Sequence, residues 1–104
     1  MYTRQMFIRD LEELILICEE QLNQRKQGIE GDGTIGQLSN DIIPECKILL
    51  QQAKLNQLPP KGKRWMHSAW HVIDGWNNKV ISHMAEKILD LADNYEEKLG
   101  DILD

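Results

Sequence analysis

Two histidines and one aspartate near the middle of the chain have the spacing of metal ligands on a helix. His67, His71 and Asp74 lie at positions i, i+4 and i+7, so on a helix their side chains point the same way. Two imidazoles and one carboxylate are a known ligand set for a transition metal. A metal-binding helical protein is therefore one alternative. The simpler interpretation is solvated histidines beside an acid, because ligands on one exposed face lack groups that orient them. No metal or cofactor is predicted.

All three tryptophans lie close together in this region, and helical geometry divides them into two groups. Trp65 and Trp76 fall on the apolar stripe of the predicted helix, so both are expected to be core residues. Trp70 points about 110° away from the centre of that stripe, beside Met66 and Asp74. These three residues are predicted to form a partly exposed patch that suits a partner protein. The alternative is that another helix covers Trp70.

Carboxylates follow one face of the last predicted helix. We call them the acidic row: Glu86, Asp90, Asp93, Glu97 and Asp101. From residue 85 onward seven acids and two lysines give a charge of −5, which equals the net charge of the whole chain. Like charges at i, i+4 cost a helix roughly 0.2–0.5 kcal/mol per pair. Because the row costs stability, we expect it to have a function, which is to attract a basic partner. A solvated acidic face is the alternative.

Apolar residues at helical spacing predict the elements that carry these groups. The first helix covers residues 4–25 after a cap at Thr3. Thr34 and Gln37 form a capping-box pattern that begins the second helix. Pro44 lies inside this second helix, and proline removes one backbone hydrogen bond and crowds the preceding turn. A kink or break is therefore expected near residues 40–43.

Two more helices follow a proline-rich connection. The third is predicted to begin near Lys63 and to weaken after Gly75, and the last to begin near Lys79. No segment of the chain alternates apolar and polar residues with a period of two, so no strand is expected. Four amphipathic helices with short loops predict an all-α fold. The expected architecture is one domain of residues 1–104, an antiparallel four-helix bundle with a kinked or broken second helix.

A glycine-rich segment after the first helix matches two ligand-binding motifs in spacing alone. Gly31, Gly33 and Gly36 follow the G-x-G-x-x-G pattern, but the dinucleotide fingerprint needs a preceding strand. An EF-hand register would place Gly28 and Ser39 where calcium binding needs Asp and Glu. We interpret the segment as a turn before a capped helix.

The composition of the chain indicates which classes of partner to exclude and which cellular compartment to expect. The chain has 104 residues, is 41% hydrophobic and 28% charged, and carries a net charge of −5. A nucleic-acid partner is not expected, because phosphate binding needs a basic face. The sequence shows no signal peptide and no long apolar run, so neither a membrane partner nor an anchor is predicted. Cys18 and Cys46 are predicted to be buried free thiols in a reducing cytoplasm.

The lead hypothesis is a non-catalytic, cytoplasmic protein-interaction domain. Its most specific form is a bacterial immunity or antitoxin-type inhibitor that binds and occludes a basic toxin or enzyme. No serine lies in a nucleophile motif, so no enzyme activity is predicted. The alternatives are the metal-binding protein and a structural or regulatory homodimer built through the final helix. The expected partner-binding residues are Met66, Trp70, Asp74 and the acidic row.

Overall fold

The described part of the chain folds into α-helices and a few shorter helical pieces. A computed structural model describes residues 1–76 and 82–100. The α-helices are α1 (Arg4–Lys26), α2 (Ile43–Lys54), α3 (Ser68–Gly75) and α4 (His83–Asp93). Shorter helical pieces are π-helices at Gln37–Ile42 and Asn94–Lys98 and a 3₁₀ turn at Lys61–Lys63. The described ranges contain no strand, so the all-α prediction is confirmed.

Helix α1 has an N-terminal cap, and both α1 and α2 have C-terminal capping motifs. The Thr3 hydroxyl accepts a hydrogen bond from the amide of Met6 at 3.2 Å, as predicted for an N-cap. α1 ends where Gly28 adopts φ +82°, and α2 ends where Asn56 adopts φ +56°. In each case the next amide donates to a carbonyl five residues earlier, at 2.9 Å and 2.7 Å. Both ends are therefore Schellman motifs, which satisfy carbonyls that the helix leaves free.

The second helical segment begins with the predicted capping box. The Thr34 amide donates to the side chain of Gln37 at 3.1 Å, and the Gln37 amide donates to the Thr34 hydroxyl at 3.0 Å. The backbone is then π-helical over Gln37–Ile42 and becomes α-helical at Ile43, one residue before Pro44. The hydrogen bonding therefore changes in the region where the sequence predicts a disturbance. The kink or break itself stays a prediction.

The third helix begins later than predicted, and this shift changes which side chains are buried. α3 starts at Ser68, and the backbone at Arg64 is extended. Successive side chains of a non-helical, extended segment point to opposite sides. Arg64 and Met66 are accordingly buried, whereas Trp65 between them is 52% exposed. The prediction that Trp65 is a core residue is wrong, and Met66 occupies the core instead.

The helices share one hydrophobic core. α1 packs against both α2 and α4, and α3 packs against α4 and the π-helix before α2. Phe7 of α1 stacks on Tyr95 at a centroid distance of 5.2 Å with the rings nearly parallel. The larger buried side chains also include Leu11, Leu14, Leu38, Ile42, Met66, Ile88 and Leu99. Trp76 is buried as predicted.

The last helix follows its predicted stripe, and α4 begins at His83. Ser82 caps α4 by accepting a hydrogen bond from the Ala85 amide at 3.1 Å. Its stripe of Met84, Ile88 and Leu91 is buried in the core. The predicted start at Lys79 lies outside the described residues.

Candidate protein-binding surface

The acidic row lies on the solvent side of α4 and the π-helix that continues it. Glu86, Asp90, Asp93 and Glu97 are all exposed. Asp93 is 3.5 Å from the ammonium of Lys98. Within residues 1–76 and 82–100, the other three members form no ion pair. Asp101 lies outside the described residues. The row therefore presents carboxylates that the described part of the fold leaves largely uncompensated.

Acids of α1 widen this surface. A cavity of about 150 Å³ lies between α1 and α4, and its lining includes Asp10, Glu13 and Asp90. Among the described residues of that lining the one cation is Lys87, whose ammonium is 3.0 Å from a Glu13 carboxylate oxygen. The hydrogen bond and charge of Glu13 raise the pKa of Lys87, with smaller contributions from Asp10 and Asp90. The surroundings of Lys87 are therefore acidic.

Two of the three residues predicted to form the exposed patch are exposed, and one is buried. Trp70 is 52% exposed and Asp74 is exposed. Met66, which was predicted to lie beside them, is completely buried, so its expected place in the exposed patch is wrong. Trp65 takes that place, because its ring meets Trp70 edge to face at a centroid distance of 6.2 Å. Two half-exposed indoles therefore lie together on the surface.

The three residues that the metal-binding alternative requires are not brought together. The His67 ring lies against the Trp65 ring, with centroids 4.2 Å apart. The His71 Nε2 atom is instead 3.3 Å from a carboxylate oxygen of Asp41, and Asp74 is exposed on α3. In the described part of the chain, no group of three His, Cys, Asp or Glu side chains is placed to hold a metal ion. The ligand set inferred from helical spacing is therefore not assembled.

A buried arginine fixes the segment that carries Trp65. The Arg64 guanidinium donates to the carbonyl oxygens of Pro59 at 2.9 Å, Tyr95 at 3.3 Å and Gly100 at 3.0 Å, and also to that of Leu99. It also lies 5.6 Å from the centroid of the Tyr95 ring. Sequence reasoning missed this role of Arg64. Its role depends on contacts with residues more than thirty positions away, which local pattern does not reveal.

A carboxylate from α2 holds the start of α3. Glu45 accepts hydrogen bonds from the amides of His67 and Ser68, both at 2.8 Å, and from the Ser68 hydroxyl at 2.5 Å. A carboxylate at a helix N-terminus satisfies free amides and complements the helix dipole. Arg64 and Glu45 together therefore position the chain on both sides of Trp65. Sequence reasoning also missed this role of Glu45.

The glycine-rich connection has a structural role. Gly33 adopts φ +82°, and a side-chain carbon built there would lie 3.2 Å from the Trp76 ring. The Trp76 indole N–H donates to the Gln37 side chain at 3.1 Å, so the connection, the capping box and the core meet at this point. The predicted turn before a capped helix is confirmed. Cys18 and Cys46 are buried free thiols, as predicted.

Two further findings bear on the function. None of the described helices has the length and apolar character needed to cross a membrane. Comparisons of the chain with protein-family models, with curated proteins and with solved structures give no match.

Proposed function

We propose that the chain is a non-catalytic protein-interaction domain that binds a basic protein through the acidic row. In the most specific form of the proposal, it is a cytoplasmic immunity or antitoxin-type inhibitor that occludes a basic toxin or enzyme. The observation that carries the proposal is the exposure of Glu86, Asp90, Asp93 and Glu97 on one helix face. The acids Asp10 and Glu13 of α1 extend that face.

The placement of surface cations supports this assignment. On the other side of α1, Lys47 lies 3.5 Å from Glu19, and Lys54 lies 3.8 Å from Glu12, so lysines of α2 compensate those acids. Glu86, Asp90 and Glu97 have no such partner among the described residues. An uncompensated negative surface steers an oppositely charged protein and raises its association rate. The effect weakens as salt screens the charges.

A homodimer through the final helix is the less favoured alternative. The apolar stripe of α4 is buried in the core, and what the helix offers outward is the acidic row. Two copies meeting through these faces would bring like charges together, which opposes association. An acidic surface instead complements a basic one.

The test compares two variants that lose the same charge at different places. The row variant carries Glu86→Gln, Asp90→Asn, Asp93→Asn and Glu97→Gln. The control variant carries Glu12→Gln, Glu19→Gln, Glu20→Gln and Glu30→Gln, all at exposed positions outside the row. Both lose four negative charges and keep the side-chain shapes. A partner is first captured with the unmodified protein from an extract of the source cells, and its association rate is then measured for each variant.

We expect the row variant to associate at least about tenfold more slowly at low salt and to depend less on salt concentration. The control variant should stay close to the unmodified protein. The captured partner should be basic, and its activity should fall when the domain is bound. Equal association rates for the two variants would show that the row is only a solvated face.

A further inference from the structure

An apolar groove lies on another part of the surface, between α2 and the segment that carries Trp65. Its volume is about 460 Å³. Leu49 and Tyr95 form a buried floor, and Pro44, Ile48 and Trp65 form its sides. The two large side chains of these sides, Ile48 and Trp65, are more than half exposed. The described fold therefore leaves concave apolar surface open to solvent, and such surface is typical of a binding site.

Trp65 is held in place although it is exposed. The His67 ring lies against its indole, and Trp70 meets it edge to face. The backbone on its two sides is fixed by Arg64 and by the Glu45 hydrogen bonds to His67 and Ser68. A tryptophan that is already ordered loses little conformational entropy when a partner covers it. Trp65 thus has the features of a preorganised binding hot spot.

The polar part of the groove carries negative charge. Asp41 and Glu45 belong to its lining, which contains no lysine or arginine from the part of the chain that the structure describes. Both Glu45 oxygens are engaged by the start of α3, whereas Asp41 is exposed, with His71 beside one of its oxygens. A basic side chain in the groove would meet the Asp41 carboxylate and the half-exposed Trp65 ring. Arginine suits both contacts, by a charge-assisted hydrogen bond and by a cation–π interaction.

We propose that the groove binds an extended segment of a basic protein partner, with one large apolar side chain flanked by arginine or lysine. The apolar side chain would cover the floor between Ile48 and Trp65, and the basic side chain would face Asp41. The inference rests on the proposed function, because it names the part of the basic partner that is recognised.

The negative charge of the groove disfavours a second copy of this chain as the occupant. A twofold-symmetric contact would bring the groove of one protomer against the same surface of its partner. Asp41 and Glu45 would then face the same two acids of the other copy. The chain as a whole also carries a net charge of −5. A basic segment gains attraction at the place where a second copy would meet repulsion.

Three synthetic peptides test the proposal on the ¹⁵N-labelled protein. The first is acetyl-Gly-Arg-Phe-Arg-Gly-amide, the second has glutamate in place of both arginines, and the third has serine in place of phenylalanine. Each is titrated up to about 1 mM while the amide and indole signals are followed. The indole signal of Trp65 is identified by its loss in the Trp65→Phe variant.

We expect the arginine peptide to shift the Trp65 indole and the groove amides in a saturable way, and the other two peptides to leave them unchanged. Trp65→Ala or Ile48→Ala should weaken binding about 30-fold, as at a hot spot. Leu16→Ala is the matched control, because Leu16 is an exposed aliphatic side chain on α1, away from the groove. This variant should bind as the unmodified protein does.

Three results would overturn the proposal. The glutamate peptide could bind as tightly as the arginine peptide, the arginine peptide could fail to saturate, or the Trp65 signal could shift with protein concentration alone. The last result would indicate a second copy in the groove. The row variant described above separates this failure from failure of the proposed function. If it still slows partner association while the groove variants bind normally, only the groove proposal is lost.

Discussion

The buried guanidinium of Arg64 donates a hydrogen bond to the carbonyl oxygen of Leu99, thirty-five residues further along the chain. Leu99 follows the π-helix that continues α4, so its carbonyl lies at the end of the last described helical segment. Cations are favoured at helix C-termini because they satisfy free carbonyls and complement the helix dipole. The contact therefore ties the end of this segment to the connection that precedes α3.

Replacing Arg64 should lower the free energy of unfolding strongly. Arg64→Met removes the donor from the carbonyl oxygens of Tyr95 and Leu99, whose hydrogen bonds to Arg64 are buried, and each unsatisfied group costs about 1–3 kcal/mol. We expect a loss of about 3 kcal/mol on this basis, and a smaller loss for Arg64→Lys, which keeps the charge without the planar fork. Urea unfolding followed by circular dichroism measures both values. Lys63→Met, at an exposed neighbouring position, is the control and should change stability little.

Gly33 and Gly28 form a matched pair for separating backbone strain from crowding. Both have φ +82°, but an added side-chain carbon meets the Trp76 and Leu38 side chains at Gly33 and nothing within 4 Å at Gly28. Gly28→Ala should cost about 1 kcal/mol, the usual penalty for a left-handed non-glycine residue. Gly33→Ala should cost more, with the difference due to displaced core side chains. Equal losses of stability, measured by thermal unfolding, would mean that the core tolerates the extra carbon.

Trp76 and Trp65 should differ sharply in their contribution to folding. Trp76→Ala removes a buried ring and should destabilise the protein by about 3–5 kcal/mol. Trp65→Ala removes a half-exposed ring, so about 1 kcal/mol is expected from the surface that it buries. Denaturant unfolding of the two variants provides the comparison. A Trp65→Ala variant that unfolds as readily as Trp76→Ala would contradict the exposed position of Trp65.

The two buried thiols should make the protein less stable at alkaline pH. Burial raises the pKa of Cys18 from 9.0 to about 12, with a smaller contribution from Glu19. Burial also raises the pKa of Cys46, as do the neighbouring Cys18 and Glu45. The unfolded chain releases these protons first as the pH rises. The stabilisation is therefore complete below pH 9.0 and is lost between pH 9.0 and about 12.

The measurement is the free energy of unfolding at several pH values between about 8 and 10, for the natural chain and for a Cys18→Ala, Cys46→Ala variant. Each thiol contributes a slope of at most about 1.4 kcal/mol per pH unit. The variant should show a shallower decline than the natural chain. The tyrosines are the same in both proteins, so the difference between the two slopes reports the thiols. Parallel curves would show that the thiols titrate alike in the folded and unfolded states.

The sequence by itself determined the helical elements and most of their local signals. The Thr3 cap, the capping box of Thr34 and Gln37 and the apolar stripe of α4 all depend on residues within a few positions of one another. Helical period and capping chemistry are local properties, so they can be read from a single sequence. The exposure of the acidic row follows in the same way from the stripe opposite it.

Only the tertiary structure decided which side chains between residues 64 and 68 face the core. Arg64 finds three of its four acceptors more than thirty residues further along the chain, and Glu45 of α2 fixes where α3 begins. Helical spacing predicted a helix at Arg64, but the backbone there is extended, and these long-range contacts are made at Arg64 and at the start of α3. Alternation along that segment then exposes Trp65 and buries Met66. The groove on Trp65 is a consequence of contacts that local periodicity does not encode.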